Sequence, residues 1–122
     1  MKRLVQLFFA IILIAMLAIT TRASFDRSVL EAGPEIWADP WGKATLIDTY
    51  SAFLVCFLWM AWRERSWAMR LLWLPLVLGL GSIAIAIYFL IALAQVGDGR
   101  WTDIFRRKAD LDAERNATAE TA

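Results

Sequence analysis

The side chains able to do chemistry are few. Asp48, Tyr50 and Ser51 lie inside one apolar run, and Arg63-Glu64-Arg65 follows its end. A carboxylate in a spanning segment costs about 2.5 to 3.5 kcal/mol at mid-bilayer on insertion scales. Asp48 could therefore mark a proton, cation or ligand site, with Tyr50, Ser51 or Lys43 beside it. The plainer reading, and the one preferred, is an acid near a helix start that meets the N-terminal dipole and pairs with Lys43 or Arg22. Arg63 and Glu64 could hold a lipid phosphate or dock a partner, because guanidinium forks match phosphate and carboxylate oxygens. Their plainer role is a charged stop after a span. The chain has no histidine, which removes the commonest acid–base residue and metal ligand. Its one cysteine, Cys56, lies in apolar sequence, where a thiol is inert. Gly79-Leu80-Gly81-Ser82 lacks the lysine of a phosphate loop. The expectation is a protein without enzymatic activity, with no catalytic set, metal or cofactor.

The elements that position these residues are three apolar runs. Of 122 residues, 60% are hydrophobic and 20% charged, and the net charge is +1. That balance gives no field for nucleic acid. A spanning helix needs roughly 17 to 25 mostly apolar residues. Residues 4–21, 44–62 and 71–95 each meet that length. The expected fold is an all-α membrane protein with three transmembrane helices in residues 1–97. Residues 98–122 then form a basic interfacial helix and a disordered tail. The first run, behind Lys2-Arg3, could be a signal peptide, but its apolar stretch is long and Arg22 sits awkwardly in the cleavage motif, so it is read as retained.

Within the second run, a helical wheel puts Asp48, Ser51, Ala52, Val55, Trp59 and Trp62 on one face. That face, with its small and polar residues, is expected to meet the bundle, and Tyr50, Phe53, Phe57 and Met60 to meet lipid. In the third run Gly79, Ser82 and Ala86 form a small-residue stripe suited to close helix packing. Gly33-Pro34 is expected to break any helix in the first loop, and Asp39-Pro40-Trp41-Gly42 to turn the chain into the second span. Gly97-Asp98-Gly99 is expected to end the third. Trp37, Trp41, Trp62, Trp67 and Trp101 read as anchors at the membrane–water interface, while Trp59 and Trp73 lie deeper. After Gly99, Trp101, Ile104, Phe105 and Leu111 oppose Arg106, Arg107 and Lys108, as in a helix lying on a membrane.

Three spans place the termini on opposite faces. The N-terminal face then carries Lys2, Arg3, Arg63, Arg65 and Arg70. The other carries Arg22, Arg27, Lys43, Arg100, Arg106, Arg107 and Lys108. Five against seven opposes the positive-inside rule. Lys2-Arg3 and the dense Arg63–Arg70 turn nevertheless favour a cytoplasmic N-terminus.

Ala38-Asp39-Pro40-Trp41, Ala44-Thr45-Leu46-Ile47-Asp48-Thr49-Tyr50 and Trp59-Met60-Ala61-Trp62-Arg63-Glu64-Arg65-Ser66-Trp67 resemble the pattern of a family of small bacterial membrane proteins with plant relatives. That family is a domain of unknown function. The resemblance covers roughly residues 1–95 and implies an integral membrane helical domain, with no activity to carry over; the expected location is a bacterial inner membrane. From size, Trp-rich edges and the small-residue stripe, the expected role is an accessory or assembly subunit. It would contact the lipid bilayer and a membrane-protein partner or another copy of itself. The alternative is a homo-oligomeric proton, ion or small-solute transport element using Asp48.

Overall fold

The computed structural model describes residues 1–96 and 100–121, and every regular element among them is helical. Two helices are long: α1, Lys2–Asp26, and α3, Pro40–Arg63. At 1.5 Å per residue each runs about 36 Å, beyond the roughly 30 Å hydrocarbon core of a bilayer. Between them lies α2, Val29–Ala38. It begins with a reciprocal cap: Ser28 Oγ accepts from the Glu31 N–H, and the Glu31 carboxylate accepts from the Ser28 N–H. Gly33-Pro34 does not break this helix; both lie inside it. The carbonyl that the missing Pro34 N–H would have met belongs to Leu30, which is 85% exposed, so water can take its place.

Asp39 closes α2 and caps α3, its carboxylate accepting from the Gly42 N–H, and Pro40 occupies the first turn. The turn read from Asp39-Pro40 is thus a cap, with proline where its absent N–H costs little.

The third expected span is not one helix. The chain forms α4, Trp67–Leu80, and α5, Ser82–Gln95, each of 14 residues, or about 21 Å, too short to cross a bilayer. Gly81 between them has φ +55° and ψ −124°. The two helices fold back on each other there. Trp73 and Tyr88 would stand about 22 Å apart on a straight helix, yet their ring centroids are 5.0 Å apart. Residues 71–95 are therefore a helical hairpin, and among the described residues two helices rather than three are long and apolar enough to cross a membrane.

Ring contacts set the register. Phe9 of α1 stacks on Phe89 of α5 at 4.3 Å, and Trp59 of α3 stacks on Phe89 at 4.8 Å. Near the N-terminus Val5 packs on the cluster of Ala92, Leu93 and Ile104. At the hairpin tip, a Cβ on Gly81 would meet the Phe53 ring at 2.6 Å. So α1 runs antiparallel to α5 and α3 parallel to it. The hairpin reaches only to the level of Phe53, leaving the first half of α3 and the second half of α1 beyond it.

The core clusters Met60, Trp73, Val77, Ala84 and Tyr88, with Phe53, Phe57 and Trp59 against them. The face of α3 expected to meet lipid is therefore mostly the packed one. Val55 is 70% exposed, and Asp48, Ser51 and Trp62 also face outward. On α3 the seam is made by large aromatic and thioether side chains that pack against the hairpin, so small residues did not mark it there, although Ala84, Ala86 and Ala92 are buried on α5.

Beyond α5, Trp101–Phe105 forms a 3₁₀ turn and Lys108–Glu120 forms α6. Ile104 is 1% exposed, so the apolar side of this segment packs on the end of the bundle itself. The single helix expected over Arg100 to Leu111 is interrupted at Arg106-Arg107, both extended. The tail expected to be disordered continues as helix to Glu120, held in part by the Arg106–Glu114 ion pair at 2.8 Å. Gly97-Asp98-Gly99 lies outside the described residues.

Candidate functional site

Among the described residues, two charged side chains lie in the interior. Arg63 ends α3 and Glu64 follows it; they are 2% and 3% exposed. Burying an ion costs several kcal/mol unless partners replace water. Hydrophobicity alone therefore cannot explain this position, and the partners must.

Glu64 Oε1 accepts a hydrogen bond from the Tyr88 hydroxyl at 2.8 Å and meets Lys108 Nζ at 2.6 Å. Its backbone carbonyl accepts from Arg70 Nε and Nη2, at 3.2 and 2.8 Å. Arg63 Nε donates to the Ile104 carbonyl at 2.8 Å, and Nη1 donates to the Tyr88 oxygen at 3.3 Å. The Arg63 guanidinium also lies 5.7 Å from the Tyr88 ring centre. Tyr88 thus links both charges. The cluster ties the end of α3 to α4 through Arg70, to α5 through Tyr88, to the 3₁₀ turn through Ile104 and to α6 through Lys108. Apart from the local Arg70–Glu64 bonds, these contacts cross between segments 24 or more residues apart, which gives the cluster the geometry of a clamp on one end of the bundle.

An aromatic shell packs against Tyr88. Trp73 and Trp59 both pack edge-on to Tyr88, at 5.0 and 5.7 Å. Their indole Nε1 atoms are buried and have no hydrogen-bond partner among the described residues.

The structure does not bring the other candidate residues to this cluster. Asp48 and Tyr50 lie on the half of α3 beyond the hairpin, about 20 Å along the helix from Arg63. The Asp48 carboxylate is exposed and carries no hydrogen bond or ion pair among the described residues. Tyr50 packs edge-on to Phe53 at 5.8 Å. Ser51 Oγ donates back to the Ile47 carbonyl at 2.7 Å. The small-residue stripe is split by the hairpin turn. Ser82 and Ala86 line an apolar cavity of about 250 Å³ between α1, α3 and α5, while a side chain added at Gly79 would enter open space.

The tryptophans fall at two levels. Trp62, Trp67 and Trp101 surround the charged end, Arg70 covering the Trp67 ring at 5.3 Å. Trp37 and Trp41 sit at the far end, with Lys43 5.2 Å from the Trp37 ring centre. Arg63 and Glu64 were candidates from the sequence, and Lys108 was read with Arg106 and Arg107 as a basic face toward a membrane; Tyr88, Arg70 and the Ile104 carbonyl were not singled out. Tyr88 carries the one hydroxyl between Ile83 and Ala94 in α5, and a lone polar group in such a segment signals a buried partner.

The fold and the cluster define an all-helical protein with two helices of membrane-crossing length, a short helical hairpin and a buried ionic clamp. Residues 3–106 match the family described as "Protein of unknown function (DUF1475)", and the chain belongs to that family. No curated protein and no solved structure matches the chain.

Proposed function

We propose that this chain is an integral membrane protein with a cytoplasmic N-terminus, acting as an accessory subunit that packs against a larger membrane complex. The observation that carries the reading is the unfinished bundle. α1 packs on α5, and the hairpin ends halfway along both long helices. No residue of α1 is buried, and Ile14, Ile19, Ile47 and Val55 are 57% exposed or more. Apolar surface of that extent is covered by lipid and by other helices.

Three features support the bilayer setting. Trp41 and Trp62 stand about 31 Å apart along α3, the thickness of a hydrocarbon core, and interfacial tryptophans favour that spacing. The packing of Phe9 on Phe89 makes α1 part of the fold, which suits a retained helix. The hairpin also changes the count of charges. With both termini and the Arg63–Arg70 turn on one face, that face holds Lys2, Arg3, Arg63, Arg65, Arg70, Arg100, Arg106, Arg107, Lys108 and Arg115. The other holds Arg22, Arg27 and Lys43, so ten of 13 basic residues share one side. The five-against-seven conflict becomes a bias in the direction of the positive-inside rule.

The test is purification of the tagged protein from native membranes in mild detergent, with mass and co-purifying chains identified. A stoichiometric larger partner, lost when Ile14 and Ile47 are replaced by serine, is the expected result. A homo-oligomer free of other chains would refute it. The second reading, a homo-oligomeric transport element, rests on Asp48, an exposed carboxylate on the uncovered half of α3 that has no partner among the described residues. Asp48→Asn abolishes transport on that reading and leaves an accessory subunit functional.

A further inference from the structure

Above the ionic clamp lies a cavity of about 260 Å³ walled by Arg63, Gln95, Lys108, Leu111, Asp112 and Arg115. Four of these come from α6 at positions 108, 111, 112 and 115, the spacing of one helical face. Three walls are cationic and one is acidic.

The ion accounting within the protein does not balance. Glu64 is matched by Lys108. Arg63, 2% exposed, donates only to neutral oxygens, the Ile104 carbonyl and the Tyr88 hydroxyl. No carboxylate lies within ion-pair distance of its guanidinium among the described residues, and Nη2 has no acceptor there. The nearest carboxylate, Glu64, reaches it only through the Tyr88 hydroxyl, and a buried guanidinium with no counter-charge in direct contact is costly to hold. Arg115 at the mouth has no ion pair among the described residues either. An anion in the cavity would take the free Nη2 donors of Arg63 and the guanidinium fork of Arg115, with Lys108 beside it. Guanidinium groups bind phosphate oxygens in this forked way.

We propose that this cavity binds a phosphate group, carried by a lipid headgroup or free in solution. The site lies at the end of α3 beside Trp62 and Trp67, the level of headgroup phosphates on the membrane reading. The inference does not depend on the accessory-subunit reading, since a protein that purifies alone can still bind the anion.

The experiment uses the full chain in mild detergent. Binding of dioctanoyl phosphatidic acid, of inorganic phosphate and of dioctanoylglycerol is measured by native mass spectrometry. Saturable binding of phosphatidic acid that inorganic phosphate does not displace assigns a headgroup; displacement assigns free phosphate. Arg115→Gln is exposed enough to fold and should weaken binding about tenfold, the worth of one charge-assisted hydrogen bond. Asp112→Asn removes the one acidic wall and should tighten binding several-fold, a gain that misfolding cannot mimic. Phosphatidic acid bound no better than dioctanoylglycerol, or affinity unchanged in both variants, overturns the proposal.

Discussion

Gly81→Ala separates a hairpin from a straight third span by the sign of its effect. In a continuous helix over residues 71–95, alanine would stabilise position 81 by about 1 kcal/mol, because glycine is the poorer helix former. In the hairpin the opposite holds, for two reasons. The φ of +55° with ψ −124° is backbone that an L side chain rarely adopts, at a cost of about 1–3 kcal/mol. The new Cβ also overlaps the Phe53 ring at 2.6 Å, and overpacking of this kind costs about 1–3 kcal/mol. The expected loss is therefore about 2–6 kcal/mol. Measured within a Phe53→Ala background, Gly81→Ala should lose the packing part of its cost and keep the backbone part. Gly79→Ala is the control, since nothing stands within 4 Å of its added Cβ. The assay is helical circular dichroism of the detergent-solubilised protein titrated with a denaturing detergent. A Gly81→Ala protein as stable as wild type, or more stable, would refute the hairpin.

Tyr88→Phe should cost about 1–3 kcal/mol in the same titration, because it removes a donor to buried Glu64 and an acceptor for buried Arg63; a neutral result would mean that water or another group supplies both. Asp39→Ala should cost about 0.5–2 kcal/mol through loss of the α3 cap, and Asp39→Asn should recover most of it. Arg27→Ala should shift the midpoint by less than about 1 kcal/mol, since its ion pair with Glu35 is exposed on both sides; a larger loss would give the α1–α2 corner a structural weight that its geometry does not suggest.

The two long helices were legible in the sequence because an apolar run of sufficient length admits few other forms. The reversal at Gly81 was not. Hydropathy carries no sign for direction, and a glycine in an apolar stretch reads equally as a close-packing residue or a turn. The charge count held the clue, since the unfavourable five against seven disappears once the chain folds back. The face of α3 was misread because small residues were taken to mark the seam, whereas Met60, Phe53 and Phe57 fill it. Arg63 and Glu64 were visible as a charged stop, but their burial depends on Ile104 and Lys108, some 40 residues further along. No local pattern encodes that docking. Ser28 and Glu31, by contrast, bear the spacing of a capping box, from which α2 could have been read.

The central claim is that the chain crosses the bilayer twice and re-enters once, so that both termini share a face. The direct measurement is labelling of single cysteines at Lys2, Gly33 and Glu120 in a Cys56→Ser background, in sealed inside-out and right-side-out vesicles. The account predicts that a membrane-impermeant maleimide reaches positions 2 and 120 from the cytoplasmic side only, and position 33 from the opposite side only. Labelling of positions 2 and 120 from opposite sides would contradict it and restore three full spans.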